Sequence, residues 1–157
     1  MIRILGIDPA LTCIGWGVID INGSSINYLS SGTINTKSSD IMPFRLSFIS
    51  QQIENLILEF KPQIAAMEEV FINMNAVSSM KLCHARGAIM SVIGKYNIPL
   101  SEFAPNKIKK TLVGAGKADK NQILYMINMI MPNAGITQLD EADALAAAYC
   151  CSVHNQN

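Results

Sequence analysis

Arg3-Ile4-Leu5-Gly6-Ile7-Asp8-Pro9 is a short apolar run that closes on an acid and a proline. It reads as a strand, and the proline, with no N–H to donate, stops it. Ile14-Gly15-Trp16-Gly17-Val18-Ile19-Asp20-Ile21 reads as a second strand. Asn22-Gly23 is a hairpin signal, and Ser25 to Ile34 supplies a third strand. The chain therefore opens with three antiparallel strands.

The pattern then changes period. Leu46, Ile49, Ile53, Leu56, Ile57 and Phe60 recur at helical spacing after Pro43, with Ser39 or Asp40 as the expected cap and Lys61-Pro62 as the stop. Ile64-Ala65-Ala66-Met67 is a fourth strand, too apolar for a sheet edge, and it runs straight into Glu68-Glu69. A long helix is predicted from Asn75 to Tyr96, in which Gly87 suggests close backbone packing. Ile98 to Phe103 is a fifth strand, and Pro105 opens a lysine-bearing helix that Gly114-Ala115-Gly116 breaks. Helices over about 119–131 and from Asp140 to Val153 complete the chain. The order βββαβαβααα predicts an α/β layer fold with a mixed sheet, as one domain over residues 1–157.

Of 157 residues, half are hydrophobic and 15% charged, which excludes a disordered chain. No apolar run approaches the roughly 20 residues of a membrane span, and the N-terminus lacks the order of a signal peptide. A cytoplasmic protein is expected. Cys13, Cys83, Cys150 and Cys151 form no CxxC, and with only His84 and His154 beside them no zinc spacing exists. They are expected to be buried, reduced thiols.

The 12 basic and 12 acidic residues balance, but unevenly along the chain. Residues 1–80 carry a net −3, residues 81–120 a net +6 and residues 121–157 a net −3. The basic block (Lys81, Arg86, Lys95, Lys107, Lys109, Lys110, Lys117 and Lys120) suits a polyanion held beside isolated acids. A solvated lysine face reads equally well from composition alone.

Two buried strands end on carboxylates, Asp8 and Glu68. Burying a charge is expensive unless something pairs with it. Asp140 and Asp143, spaced i, i+3 near the start of an alanine-rich helix, share one face. Four carboxylates in one cleft would drive some of them to take up protons. No Lys or Arg neighbours any of the four in sequence, so the missing positive charge is expected to be a metal. All-oxygen donors favour Mg²⁺ or Mn²⁺. Two such ions roughly 3.5–4 Å apart would clamp a phosphodiester.

Gly6-Ile7-Asp8-Pro9, Met67-Glu68-Glu69-Val70-Phe71, Lys81-Leu82 with Ala85-Arg86-Gly87, Val113-Gly114 with Gly116, and Asp140-Glu141-Ala142-Asp143-Ala144-Leu145-Ala146 together resemble the RuvC family of bacterial Holliday junction resolvases. The match runs in order from about residue 3 to residue 150. It implies a ribonuclease H-like fold, with a five-stranded mixed sheet and helices on both faces. It further implies a homodimer that nicks opposed strands of a four-way DNA junction in recombination and repair, with Mg²⁺ or Mn²⁺, leaving 5′-phosphate ends. The family's four acidic positions fall on Asp8, Glu68, Asp140 and Asp143, as catalytic residues and metal ligands. Its base-probing aromatic falls on Phe71, and basic positions important for binding or cleavage fall on Lys109 and Lys120. Lys81, Arg86, Lys107, Lys110 and Lys117 are further expected DNA contacts. Resemblance alone suggests RuvA and RuvB as partners. Ala10 departs from the family's usual glycine, and Glu69 stands where relatives often carry glutamine. The Asn75–Tyr96 helix, with Ser79, Cys83 and Gly87 at four-residue spacing, is the candidate dimer interface. Three alternatives stay open: an actin-like ATP-binding module, an inactive junction-binding scaffold, and a ribonuclease H-like nuclease acting on RNA.

Overall fold

In a computed structural model describing residues 1–70, 75–114 and 116–154, one mixed sheet is built from β1 (Ile2–Asp8), β2 (Cys13–Asn22), β3 (Ser25–Asn35), β4 (Ile64–Glu68) and β5 (Leu100–Phe103), in the order β3-β2-β1-β4-β5. The first three strands are antiparallel neighbours, and β4 and β5 run parallel to β1. The turn between β2 and β3 is Gly23-Ser24, because Asn22 pairs with Ser25. Gly23 takes φ +60°, open to glycine without steric cost.

Successive strand residues point to opposite faces, and each face buries its own core. Leu5, Ile7 and Val18 pack with α1 (Met42–Phe60) and α2 (Ala76–Lys95) through Ile49, Ile53 and Ile89. Ile4, Ile19 and Ala66 pack on the other side with α3 (Pro105–Val113), α4 (Lys120–Ile130) and α5 (Leu139–His154). No helix among the described residues is long and apolar enough to cross a membrane.

Several local expectations are corrected. Helix α1 is capped by Ile41 without a side-chain hydrogen bond, not by Ser39 or Asp40. Pro43 in its first turn has no N–H, so one orphan donor is already gone. Strand β5 starts two residues late because Ile98 N–H turns back to Ile93 O and Pro99 has no N–H. Gly87 is exposed, and a Cβ there would meet nothing within 4 Å. Ser79 is buried within its own chain, which removes it from any intermolecular face. None of the four cysteines forms a disulfide, but Cys83 is exposed and Cys13 only half-buried.

The close backbone contacts lie instead between α5 and the first two strands. A Cβ at Gly6 would sit 2.0 Å from Ala144 O, and one at Gly15 would sit 1.9 Å from Asp140 O. These glycines let the alanine-rich face of α5 lie directly on the sheet. Gly15→Ala is expected to cost about 1–3 kcal/mol through overpacking. Because the clash is with Asp140 itself, cleavage should fall further than unfolding accounts for. Denaturant titration alongside a nicking assay checks this, and a fully active, equally stable variant would contradict it.

Candidate active site

Strands β1 and β4 are in parallel register up to Ile7 and Met67. Asp8 and Glu68 are the next residues of each strand, so both emerge at the same end of the sheet, where these strands finish. On β2, Gly15 touches the first turn of α5, which carries Asp140, with Asp143 three residues further along the helix. The chain thus delivers four carboxylates to one end of the sheet from three separate segments.

The carboxylates act on one another electrostatically. Burial first, and then the charges of Asp143, Glu68 and Asp140, push Asp8 up to about 7, while Lys120 opposes the rise. Glu68 is also raised, by burial and then by Asp143, against the pull of Lys109, Lys120 and Arg86. Among the described residues, no three His, Cys, Asp or Glu side chains are gathered tightly enough to grip one ion. The donor chemistry nonetheless fits a hard divalent cation. Every member is a carboxylate, and two of them are pushed toward the protonated form.

The expectation that no side chain supplies counter-charge is corrected. Lys120, far from the quartet in sequence, stands 3.0 Å from Asp143 Oδ2. Its ammonium is held in the charged form chiefly by that hydrogen bond, with Asp8 and Asp140 adding to it. Asp119 and Gln122 form a reciprocal capping box that fixes the start of α4, where Lys120 stands. Lys120→Met should push Asp8 higher still, moving the rise of activity to higher pH. The rate near neutrality should fall about tenfold, the scale of losing a residue that orients a metal ligand. A rate–pH profile reads both effects, and an unshifted profile would detach Lys120 from the quartet.

Sequence reasoning missed other supports. The Cys13 thiol donates to Asp140 Oδ2 at 3.0 Å, and burial followed by this bond pushes the thiol up to about 11. Ser31 donates to Glu141 Oε2 at 2.5 Å. Only strand pairing brings these residues to α5, so spacing gave no signal. Arg86, expected on DNA, donates instead to the Glu68 carbonyl at 2.6 Å and pairs with Glu102. It ties α2 to the end of β4 and fixes the backbone that carries Glu68.

The other basic positions divide. Lys109 acts electrostatically on Glu68. Lys107 lies over the Phe103 ring, 5.1 Å from its centroid, and with Lys110 it lines a cavity of about 390 Å³ beside His154. Lys81 and Lys117 are exposed. Phe71 lies outside the described residues.

Comparison with known proteins agrees with this architecture. The family described as Crossover junction endodeoxyribonuclease RuvC matches residues 4–151. A crossover junction endodeoxyribonuclease RuvC of Orientia tsutsugamushi (strain Ikeda) is 57% identical over 153 residues, covering 98% of this chain and 96% of the relative. One from Rickettsia bellii (strain RML369-C) is 53% identical over 151 residues, covering 96% of each. Among solved structures, T. thermophilus RuvC in complex with Holliday junction substrate superimposes with a TM-score of 0.86 at 26% identity, covering 96% of this chain and 92% of the other. The fold is accordingly ribonuclease H-like, and the chain belongs to the RuvC family of crossover junction endodeoxyribonucleases, which are nuclease enzymes.

Proposed function

We propose that this chain resolves four-way DNA junctions by paired, symmetric nicks, with Asp8, Glu68, Asp140 and Asp143 as its catalytic and metal-binding residues. The observation that carries the reading is the convergence of Asp8 and Glu68 with Asp140 and Asp143 at one end of the sheet, where burial and the neighbouring charges raise both strand-end carboxyls. Such a site stores negative charge that a bound cation relieves. The four carboxylates would hold Mg²⁺, with Mn²⁺ as a substitute and two ions per site. Bound there, the ions supply charge neutralisation at the phosphodiester and acidify water.

The chain's own residues prepare that state. Asp8, its carboxyl pushed up to about 7, would give up its proton to hold a cation, so cation uptake would tighten as pH rises through that value. Cys13 and Arg86 hold the Asp140 carboxylate and the Glu68 backbone in place. Lys120 pairs with Asp143 and holds its carboxylate in place. Water then adds to phosphorus, the P–O3′ bond breaks, and a 3′-hydroxyl and a 5′-phosphate remain.

Paired nicking needs two sites related by a two-fold axis, so a homodimer is part of the proposal. Helix α2 offers an exposed face with Val77, Met80, Cys83 and Gly87 for it. Phe71 and the lysines would hold the junction, RuvA and RuvB would deliver it, and the whole chain would act as one domain in the cytoplasm.

The test is a competition in Mg²⁺ between a four-way DNA junction and an RNA–DNA hybrid of the same sequence. Paired nicks in the junction, sealed by DNA ligase, are expected. Preferential cutting of the hybrid would overturn the reading in favour of an RNA-directed nuclease.

A further inference from the structure

A cavity of about 320 Å³ lies where β3 passes into α1, lined by Asn35, Thr36, Lys37, Phe44, Arg45 and Phe48. It is next door to the carboxylates. Asn35 pairs across the strands with Cys13, whose thiol holds Asp140. Arg45 joins the cavity to the loop leaving Asp8. Arg45 Nε donates to Thr36 Oγ1 at 3.0 Å, and its Nη2 donates to Leu11 O at 3.1 Å and Thr12 Oγ1 at 3.3 Å. The guanidinium is therefore fixed in position before any ligand arrives.

The composition of this cavity is unusual for its surroundings. Residues 1–80 are net acidic and hold four cations, yet two of them, Lys37 and Arg45, meet here. Beside them Phe44 is 67% exposed and Phe48 40% exposed. A fixed cation, a second cation and two open rings match one nucleotide, with a phosphate for the charges and a flat base for the ring. Asp40 also lines the cavity, and its carboxylate would accept from the amino edge of a base and disfavour a second phosphate.

Resting on the junction-resolvase reading above, we infer that this cavity binds one nucleotide of the substrate strand beside the cleaved bond, stacking its base on Phe44 and placing its phosphate at Lys37 and Arg45. It is a second contact to the DNA, separate from the basic block of residues 81–120, and it helps set where along a strand cleavage falls.

The test uses the full chain and a fluorescein-labelled four-way DNA junction. Affinity is measured by anisotropy in EDTA across a salt series, and nick positions are mapped in Mg²⁺. Phe44→Leu keeps apolar bulk but removes the stacking face, and it should weaken binding about tenfold. Phe44→Trp should restore affinity. Lys37→Ala should reduce the slope of log affinity against log salt by about one. Both weakening variants should blur the positions of the nicks. If both bind and cut as the unaltered chain does, the subsite is wrong and the resolvase reading stands. If the unaltered chain neither binds nor cuts junctions, both fall. If Phe44→Leu changes the solution mass, the ring belongs to a contact between two copies of the chain, and the nucleotide assignment is overturned.

Discussion

Asp8→Asn is expected to abolish junction nicking in Mg²⁺ while leaving the junction bound as tightly as before, or more tightly. Asparagine keeps the shape of aspartate but loses the negative charge that a cation needs. Asp8 is also the member of the quartet on which the charges of all three others act. Losing several kcal/mol of charge stabilisation at the phosphodiester corresponds to a rate loss of about a thousandfold or more. Binding moves the other way, because one anion fewer faces the phosphate backbone. Single-turnover cleavage and gel-shift titration in EDTA separate the two effects. A variant that still nicks at a tenth of the original rate would remove Asp8 from the chemistry.

The same residue predicts an unusual stability profile in the metal-free protein. Asp8 rises from 3.8 to about 7 on folding, mainly through burial. Between those values the folded chain keeps a proton that the unfolded chain has released. Raising the pH across this window therefore lowers stability, the reverse of a salt-bridged carboxylate. The shift bounds the loss at about 4 kcal/mol, and solvent reaching the cleft makes it smaller. Glu68, raised for the same reasons, adds in the same direction. In EDTA the melting temperature should fall by up to about 10 °C between pH 5 and pH 8. Asp8→Asn should flatten much of that slope and be the more stable protein at pH 8. Adding Mg²⁺ at pH 8 should restore the unaltered chain, because only the folded state offers the cation a site. A metal-free melting temperature that rises with pH, in parallel for both proteins, would show that Asp8 is not strained by its neighbours.

The layers, the strand count and the four candidate acids were legible in the sequence alone. Period-2 and period-3.6 patterns are local, and Asp8, Glu68, Asp140 and Asp143 each sit at a recognisable end of a patterned segment. The i, i+3 spacing of Asp140 and Asp143 needed only helix geometry. The ordered motifs supplied the family resemblance. Tertiary structure decided what surrounds those acids. Lys120 meets Asp143, Cys13 meets Asp140 and Arg86 grips Glu68 across 23, 127 and 18 residues of chain respectively. It also moved the tight backbone contact from Gly87 to Gly6 and Gly15. The physical reason is range. Periodicity and capping act over a turn or two, whereas charge and packing act through space, and strand pairing sets which distant residues meet.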